Sequence, residues 1–402
     1  ALAEGCVLFF IMMVFRGTLK NIHCKLSIMK VDYIIVGQGL CGTFLSWYLD
    51  QYNKTYIIID EDKPLTASKV SSGIINPITG RRFVKTWMID ELLPFIDKAY
   101  TAIEQSLNIK CIEQKKLIHF FSNKETQNIF YDRLQEEPQY LQEPFNKLSI
   151  TNQFADYFND TLGYGEIHPC YLVHTNLLLK TYREKLVFNN NLYSTVFQKN
   201  KLVMHDDYVA YEHIIADKII FCDGAAGTDN SFFKNLPYAL NKGQFLLVNI
   251  PNLPNNYIFK KSSLTIVPWQ TEASKFMHTS APLHTSILNN IFWIGTSYEW
   301  NFDIANPTKD FKDKTIAQLK DCLKIPFEML DHQASIRSAT VERRPFVGMH
   351  PSIPNVGILN GMGTKGCSLA PYFAYQLAQH LCYGKLITPE ADVCRFKKVL
   401  SR

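Results

Sequence analysis

The amino-acid sequence predicts an α/β fold that begins with a Rossmann-like βαβ unit. An apolar run at 31–36 predicts a strand and leads directly into a glycine-rich turn. Apolar residues at helical spacing follow over 43–50, and a second apolar run at 56–59 ends in two acidic residues. This order of strand, glycines, helix, strand and acid is more specific than a glycine motif alone, and it indicates a dinucleotide-binding unit.

The glycine turn has the spacing GxGxxG. Gly37 permits a tight turn, Gly39 lets backbone amides approach a diphosphate, and Gly42 lets the helix pack closely on the strand. Leu40 and Cys41 lie between these glycines, where the amides and the dipole of a helix N-terminus favour an anion. A glycine-rich turn that binds no ligand is the alternative.

Two acidic residues, Asp60 and Glu61, follow the second predicted strand. They lie eighteen and nineteen residues after Gly42. An acid at this distance can accept hydrogen bonds from ribose hydroxyls, so both are candidate cofactor ligands.

A second GxGxxG match comprises Gly361, Gly363 and Gly366, after the apolar residues 356–359. Only 36 residues follow it, too few for another complete βαβ unit. We therefore predict a glycine loop that leads into a helix, with Pro371 near the helix start. The backbone of such a loop can press against a flat ligand.

Composition is typical of a folded protein. Hydrophobic residues make up 47% and charged residues 20% of the 402 residues, enough for a substantial core and two or three domains. The net charge of +5 is spread along the sequence, which argues against a nucleic-acid partner. Ten cysteines and eleven histidines show no metal-binding spacing. We expect a reduced, cytoplasmic protein without a structural metal.

One strongly apolar run, residues 6–15, lies outside the predicted core pattern. It has about half the length that crosses a bilayer, so no transmembrane span is predicted. Glu4 precedes it and Arg16 follows it, which is not the charge pattern of a secretory signal. We interpret residues 1–28 as a non-native extension or mistranslated upstream sequence, with Met29 as the start. A membrane-surface anchor is the alternative.

Several segments together resemble the FAD-dependent D-amino acid oxidase superfamily. Small and polar residues occupy 66–77, where a simple NAD-dependent dehydrogenase would have another crossover helix. The matching segments occur in the same order as in the family: the glycine turn, 66–77, 218–227, the predicted turn at 241–244, and 337–371. The closest branches are glycine oxidase and the oxidase half of the bifunctional enzyme that modifies tRNA wobble uridine. The resemblance covers nearly everything from residue 30 onward.

The resemblance implies two domains. These are a discontinuous, Rossmann-like FAD-binding domain of the glutathione-reductase type and an inserted α+β substrate domain built on a mixed sheet. Strand-period alternation over 238–300 agrees with such a sheet. The implied segments are an extension at 1–29, the FAD-binding domain at 30–88, 151–235 and 331–402, and the substrate domain at 89–150 and 236–330.

The resemblance also implies which residues contact FAD. A loop over 68–74 passes over the diphosphate and the flavin ring, a strand over 193–198 contacts adenine, and the loop at 363–366 lies beside the flavin pyrimidine. A helix N-terminus there can stabilise the negative charge of reduced flavin. The implied cofactor residues are Ser68, Ser72, Gly73, Ile74, Phe197, Asp223, Gly224, Gly361, Gly363, Thr364, Lys365 and Gly366.

Some relatives carry a cysteine that links the flavin covalently. Alignment on Thr340 puts Ser335 at that position. We therefore expect FAD to be bound non-covalently.

Arg337 matches the arginine that holds the substrate carboxylate in the glycine-oxidase stretch. A planar guanidinium can make two parallel hydrogen bonds to a carboxylate and so orient the α-carbon. A salt-bridge arginine is the alternative. Tyr298 and Trp269 end strand-like runs and are candidate pocket walls, although core packing explains them as well. Lys365 is a candidate for electrostatic assistance near the flavin, with a solvated loop lysine as the alternative.

The resemblance implies an FAD-dependent oxidoreductase that oxidises the C–N bond of an amino acid or N-substituted glycine. Hydride would pass to the flavin, and oxygen or another electron acceptor would reoxidise it. A tRNA wobble-uridine carboxymethylaminomethyl oxidase is one alternative. A non-catalytic FAD-binding protein is the other. The sequence does not decide the oligomeric state.

Overall fold

The computed structural model describes residues 28–144, 153–159, 162–269 and 290–401. The predicted extension at 1–28 therefore lies outside the described residues, except for Ile28. The helices are α1 Leu40–Gln51, α2 Ile89–Leu107, α3 Lys124–Glu136, α4 Thr175–Phe188, α5 Lys309–Cys322, α6 Gly366–Tyr383 and α7 Lys397–Leu400. None of these helices combines the length and the hydropathy needed to cross a bilayer.

The strands form two large sheets and one small hairpin. They are β1 Met29–Val36, β2 Tyr56–Ile59, β3 Ile74–Ile75, β4 Ile78–Thr79, β5 Val84–Lys85, β6 Ile112–Phe120, β7 Leu141–Gln142, β8 Tyr164–Val173, β9 Leu192–Tyr193, β10 Leu202–Met204, β11 Val209–Tyr211, β12 Ile214–Phe221, β13 Asn241–Asn249, β14 Tyr257–Lys261, β15 Leu264–Pro268, β16 Ile291–Gly295, β17 Glu328–Arg337, β18 Phe346–His350 and β19 Ile353–Asn360.

The first sheet has the order β10-β11-β12-β1-β2-β9, and β19 joins it beside β12. Strands β9, β2, β1, β12 and β19 are parallel. Parallel strands covered on both faces need continuous apolar runs, and β1 has one: Ile34 and Ile35 are fully buried in separate core clusters. The predicted strands of the βαβ unit lie in this sheet.

Parallel pairing brings four loops to one edge of the first sheet. Gly37 follows β1, Asp60 follows β2, Asp223 lies just after β12, and Gly361 follows β19. Ligands of doubly wound α/β folds bind outside the carboxyl ends of the strands. This edge is therefore where the fold favours a cofactor site.

The second sheet has the order β17-β13-β16-β15-β14-β6-β8-β3, with β7 beside β8. It is mixed, because β14 and β6 are parallel while the other pairs are antiparallel. The prediction of an α/β fold with a second, mixed sheet is confirmed.

Strand pairing does not follow the predicted segment boundaries. Strand β8 lies within 151–235, yet it pairs with β6 of the second sheet, and the chain returns to the first sheet at β9. Strand β17 crosses the boundary at residue 331 and pairs with β13. Which sheet an apolar strand joins depends on distant partners, and local sequence does not specify them.

Helix α6 begins at Gly366, so Pro371 lies inside the helix and not near its start as expected. Proline has no amide hydrogen, and the carbonyl four residues earlier, that of Cys367, loses its helical donor. The hydroxyl of Tyr100 on α2 donates to this carbonyl at 2.9 Å, and Tyr100 is fully buried. A side chain from another helix thus replaces the missing backbone hydrogen bond.

We predict that Tyr100→Phe lowers the free energy of unfolding by about 1–3 kcal/mol, because it leaves a buried carbonyl without a donor. In a Pro371→Ala background the same change should cost much less, since the amide of residue 371 can then donate to the Cys367 carbonyl. Urea denaturation of the four proteins of this cycle measures the coupling. Equal costs in both backgrounds would show that the hydroxyl does not replace the proline's missing donor.

Candidate functional site

Two helix N-termini meet at the edge of the first sheet. A Cβ placed on Gly366, where α6 begins, would lie 3.5 Å from Cδ1 of Leu40, where α1 begins. Neither helix has a side-chain cap at this end. The positive ends of two helix dipoles therefore point into one region, a favourable place for an anion.

The glycines of the first turn are required by close backbone contacts. Gly37 has φ +101°, and its Cβ would lie 2.5 Å from the carbonyl oxygen of Cys222. A Cβ on Gly42 would lie 1.9 Å from the carbonyl oxygen of Gly37. At Gly39, a Cβ would press on Oγ of Ser68 at 3.0 Å. The turn therefore brings the start of α1 against both β1 and the segment that follows β2.

Cys41 lies in the first turn of α1. Burial raises the pKa of its thiol to about 12, so the side chain is a neutral packing group. Any contribution of Cys41 to an anion site would come from its backbone amide.

The segment over 68–73 contacts both helix N-termini. The amide of Leu40 donates to Ser68 Oγ at 3.2 Å, and Ser71 Oγ lies 3.9 Å from Sγ of Cys367. Gly73 has φ +74°, and its Cβ would lie 1.9 Å from the carbonyl oxygen of Val173, which explains the glycine. Ser72 lines a pocket described below, and Ile74 begins β3.

Asp60 is already held by several protein donors. Its Oδ2 accepts from the amide of Gln38 at 2.9 Å, and its Oδ1 accepts from Arg183 at 2.8 Å and from the amide of Asp62. Sequence reasoning missed Arg183, because it lies on α4, 123 residues from Asp60. The neighbouring Glu61 forms an ion pair with Lys63 at 2.6 Å.

Asp223 connects the ends of β12 and β19. It accepts from Asn360 Nδ2 at 2.8 Å and from Asn230 Nδ2 at 2.9 Å, and burial raises its pKa to about 6. Gly224 follows with φ +57° and no atom within 4 Å of its Cβ position, so its face is open. Asn360 directly precedes Gly361, and no local sequence pattern marks it, because its partner Asp223 lies 137 residues away.

The predicted strand at 193–198 is wrong beyond Tyr193. Strand β9 contains only Leu192 and Tyr193, because its partner β2 ends at Ile59, which pairs with Tyr193. Phe197 is half-buried and stacks on Tyr211, with ring centroids 5.1 Å apart. A role for its backbone in binding adenine stays a prediction.

The second glycine loop is tied to the end of β17. Gly361 and Gly363 both have positive φ, at +80° and +57°. The amide of Gly363 donates to the carbonyl of Ser338 at 2.8 Å, one residue after Arg337. Thr364 is exposed. The loop that begins α6 therefore lies next to the strand that carries the predicted substrate ligand.

Arg337 is the last residue of β17 and is held by three oxygens. Its Nη1 donates to Asn241 Oδ1 at 2.6 Å and to the carbonyl of Ser297 at 3.3 Å, and its Nη2 donates to Thr296 Oγ1 at 2.5 Å. Burial lowers the pKa of the guanidinium, which nevertheless stays charged at neutral pH. No carboxylate of the described residues pairs with it.

Strand β13 shapes the space around this guanidinium. A Cβ on Gly243 would lie 1.8 Å from Nη2 of Arg337, so only glycine leaves room for the observed position. Asn241 Nδ2 is buried without a partner, a free donor on the residue that orients Arg337. Residues 241–244 do not form the predicted turn: they pair with β17 and begin a strand, and Lys242 also pairs with Glu299.

Tyr298 and Trp269 occupy different places. Tyr298 is 60% exposed, and the Arg337 guanidinium lies over its ring at 5.2 Å, so it is no core residue. Trp269 is half-buried, and its indole nitrogen is buried without a partner. It lines a pocket together with Ser71, Ser72, Leu172, Val173, His174, Thr175, Asn176, Leu177, Lys180 and Pro268. The structure joins Tyr298 with Arg337, and Trp269 with the 68–73 segment.

Lys365 is directed toward the second sheet. Its Nζ lies 3.5 Å from Oγ1 of Thr86, and its titratable neighbours are Cys170 and Lys260. Burial lowers the pKa of its ammonium to about 8. The alternative of a solvated loop lysine does not fit this burial, and a role for Lys365 near the flavin stays a prediction.

Ser335 is buried on β17, and its hydroxyl donates to the carbonyl of Leu65 at 3.1 Å. This contact ties the second sheet to the segment after β2. Non-covalent binding of FAD stays a prediction.

Comparison with known proteins agrees with this geometry. Residues 32–380 match the family model DAO, described as FAD dependent oxidoreductase. The chain is similar in structure to a glycine oxidase from Geobacillus kaustophilus, with a TM-score of 0.70 and 16% identity over 90% of this chain and 96% of that one. An iminodiacetate oxidase from Chelativorans sp. BNC1 gives 0.68 and 16% over 90% and 98%.

A reduced L-α-glycerophosphate oxidase from Mycoplasma pneumoniae with FAD bound gives a TM-score of 0.65 and 16% identity, over 90% of this chain and 97% of that one. Identities this low show a shared fold and do not specify a substrate. The family match spans most of the sequence and confirms the resemblance carried by the motifs. The chain therefore belongs to the DAO family of FAD-dependent oxidoreductases.

Proposed function

We propose that this oxidoreductase oxidises the C–N bond of an amine that carries a carboxylate, either an amino acid or an N-substituted glycine. The observation that carries the proposal is Arg337. Its guanidinium is partly desolvated, fixed by three oxygens and without a carboxylate partner among the described residues. A cation kept in this state is matched to an anionic ligand.

The residues around the two helix N-termini fit FAD. The start of α1 and the 68–73 segment supply amides and hydroxyls for a diphosphate, and glycine leaves the backbone open at Gly224. The start of α6 adds a positive dipole beside the substrate strand. When bound, FAD supplies the acceptor for the two electrons released from the C–N bond.

The chain's own contribution is orientation and desolvation. Arg337 holds the carboxylate at the end of β17, and Asn241 Nδ2 offers a further donor beside it. Fixing the carboxylate end of a small substrate restricts the positions that its α-carbon can occupy. This restriction removes much of the entropic barrier to reaction. Because the α-hydrogen leaves with its electrons, an amine bound in its neutral form needs no protein base at that carbon.

The fold alone does not specify which bond of the substrate is oxidised, since one structural neighbour is named for glycerophosphate and others for glycine and iminodiacetate. The guanidinium favours a planar carboxylate. Anaerobic bleaching of the bound flavin across glycine, sarcosine, proline and D- and L-amino acids tests the proposal. Bleaching by at least one of them is expected. If none bleaches the flavin, the amino-acid proposal fails, and the non-catalytic alternative gains support.

Arg337→Met is expected to raise KM for amino-acid substrates by a factor of ten or more while the flavin is retained. Truncating one partner of a desolvated charge pair typically costs about 2–5 kcal/mol. Steady-state kinetics measure the change. Arg343→Met is the matched control, because Arg343 is exposed on the loop that follows β17. Equal kinetics in the Arg337 variant and the control would contradict the role.

Gly243→Ala should raise KM as well, because its Cβ would displace the Arg337 guanidinium. We expect about a tenfold rise, and no further rise when the change is made in the Arg337→Met background. Additive effects of the two substitutions on KM would mean that Gly243 acts through something other than Arg337.

Gly39→Val is expected to abolish retention of FAD, because a branched side chain at this turn would push on Ser68 and occupy the approach to the diphosphate. Absorbance at the flavin bands after gel filtration measures retention, and far-UV circular dichroism checks the fold. A folded, yellow Gly39→Val protein would refute this placement of the cofactor.

A further inference from the structure

We propose that Lys260 and Lys365 form a second anion subsite, which accepts a carboxylate at the far end of the substrate. The substrate class would then be an amine with two acidic groups, one held by Arg337 and one by this lysine pair. This inference rests on the proposed function and narrows its substrate.

Strand register places Lys260 on the same face of the second sheet as Arg337. Lys260 pairs with Thr265, Thr265 with Gly295, Gly295 with Phe245 and Phe245 with Gln333. Gln333 and Arg337 are four residues apart on β17, and alternate residues of a strand share a face.

This face of the second sheet is the one turned toward helices α1, α2 and α6. Phe245, Leu247 and Trp293 on this face belong to one core cluster with residues of α1, α2 and α6, whereas Leu246 and Val248 on the opposite face belong to another. Lys260 and Arg337 therefore both point into the region between the sheet and the two helix N-termini.

Lys365 reaches this region from the opposite side. It leaves the second glycine loop just before α6, and its ammonium extends to Thr86. Contacts place it near Lys260: Thr86 Oγ1 donates to the Asn76 carbonyl at 2.9 Å, and Asn76 Oδ1 lies 3.8 Å from Sγ of Cys170 on β8. Strand β8 pairs with β6, and β6 pairs with β14, which carries Lys260. The charge of Lys260 also lowers the pKa of Lys365. One cation comes from the second sheet and the other from the loop that begins α6.

Neither lysine has a counter-charge among the described residues. The groups that act on Lys365 are Lys260 and the Cys170 thiol, and Arg81 is the charged group that acts on Lys260. Burial raises the pKa of Cys170 to about 12, so this thiol is neutral at pH 7. His119, beside Lys260 on β6, is also neutral, because burial lowers its pKa to about 3.

Two other cations of low exposure have acidic partners among the described residues. Lys242 lies 2.9 Å from Glu299, and Arg183 lies 2.8 Å from Asp60. Desolvated charges without partners are costly, and proteins keep them where a ligand supplies the opposite charge. An anion between the two lysines would offset the repulsion between their ammonium groups and would give each of them a partner of opposite charge.

The ligand most consistent with this arrangement is a second carboxylate of the same substrate. Arg337 already accounts for one carboxylate, and Tyr298 covers the guanidinium. Lys260 lies on the same face as Arg337 but four strands away in the sheet order, so one molecule must extend across the sheet to reach both Arg337 and the lysine pair. Ammonium groups suit this role, because they accept a carboxylate in several orientations.

The test uses flavin-loaded protein and substrate pairs that differ only in a carboxylate or its amide. Suitable pairs are aspartate and asparagine, glutamate and glutamine, each as both enantiomers, and iminodiacetate and its monoamide. We expect kcat/KM for the diacid of at least one pair to exceed that of its amide by about 10- to 100-fold, the range for a charged hydrogen bond.

Lys260→Met and Lys365→Met should each reduce this preference by about tenfold or more. Lys261→Met is the matched control. Lys261 is the next residue on β14, faces the opposite side and donates to the carbonyl of Asn159 at 2.8 Å. This control should keep the preference.

A second readout does not depend on turnover. Removing an unpaired buried charge relieves its desolvation, so both methionine variants should raise the Tm of the ligand-free protein. Glutarate and succinate, which cannot be oxidised at a C–N bond, should raise the Tm of the parent protein and have little effect on the variants. A Tm loss in both variants without any change in preference would show that the lysines are structural.

The outcomes separate this inference from the proposed function. If monocarboxylic amines bleach the flavin but no diacid is preferred over its amide, the subsite is wrong and the proposed function stands. A preference that survives both lysine substitutions also overturns the subsite. If no amine of any kind bleaches the flavin, the proposed function itself fails.

Discussion

The contact between Gly42 and the carbonyl of Gly37 is the constraint on which the site depends. Because a Cβ on Gly42 would lie 1.9 Å from that oxygen, α1 can start this close to β1 only with glycine there. The same closeness brings Leu40 to the start of α6 and lets Ser68 reach the first amide of α1. Helix α1 packs on β1 through Gly42, which has no side chain. This close packing brings together the two helix N-termini, the two glycine loops and the segment after β2.

The second sheet supplies the cations that we propose bind the substrate. Its face toward the helices carries Arg337 from β17 and Lys260 from β14. These residues are 77 positions apart in the sequence, and strand pairing brings them onto one surface. The contacts at Ser338 and Ser335 tie β17 to the second glycine loop and to the segment after β2. Substrate groups and cofactor loops are therefore positioned by the same few backbone contacts.

The parts of the structure that sequence could predict are those with local causes. The glycine turn and β2 follow from patterns within about 40 residues, and the family resemblance adds the loop over 68–74 and Arg337. Arg183, Asn360 and Gly243 were missed because each acts on a residue far along the chain. The strand expected at 193–198 stops at Tyr193 because its neighbour ends, which no property of the segment itself reveals.

Charge balance separates structural from functional cations in this molecule. Lys242 and Arg183 have acidic partners within 3 Å, so their burial is compensated inside the protein. Arg337, Lys260 and Lys365 have none among the described residues, and all three border the region between the sheet and the helix N-termini. A fold selected for stability alone would replace these cations with apolar groups or pair them. Their persistence as one uncompensated positive surface is explained if the missing negative charge arrives with the substrate.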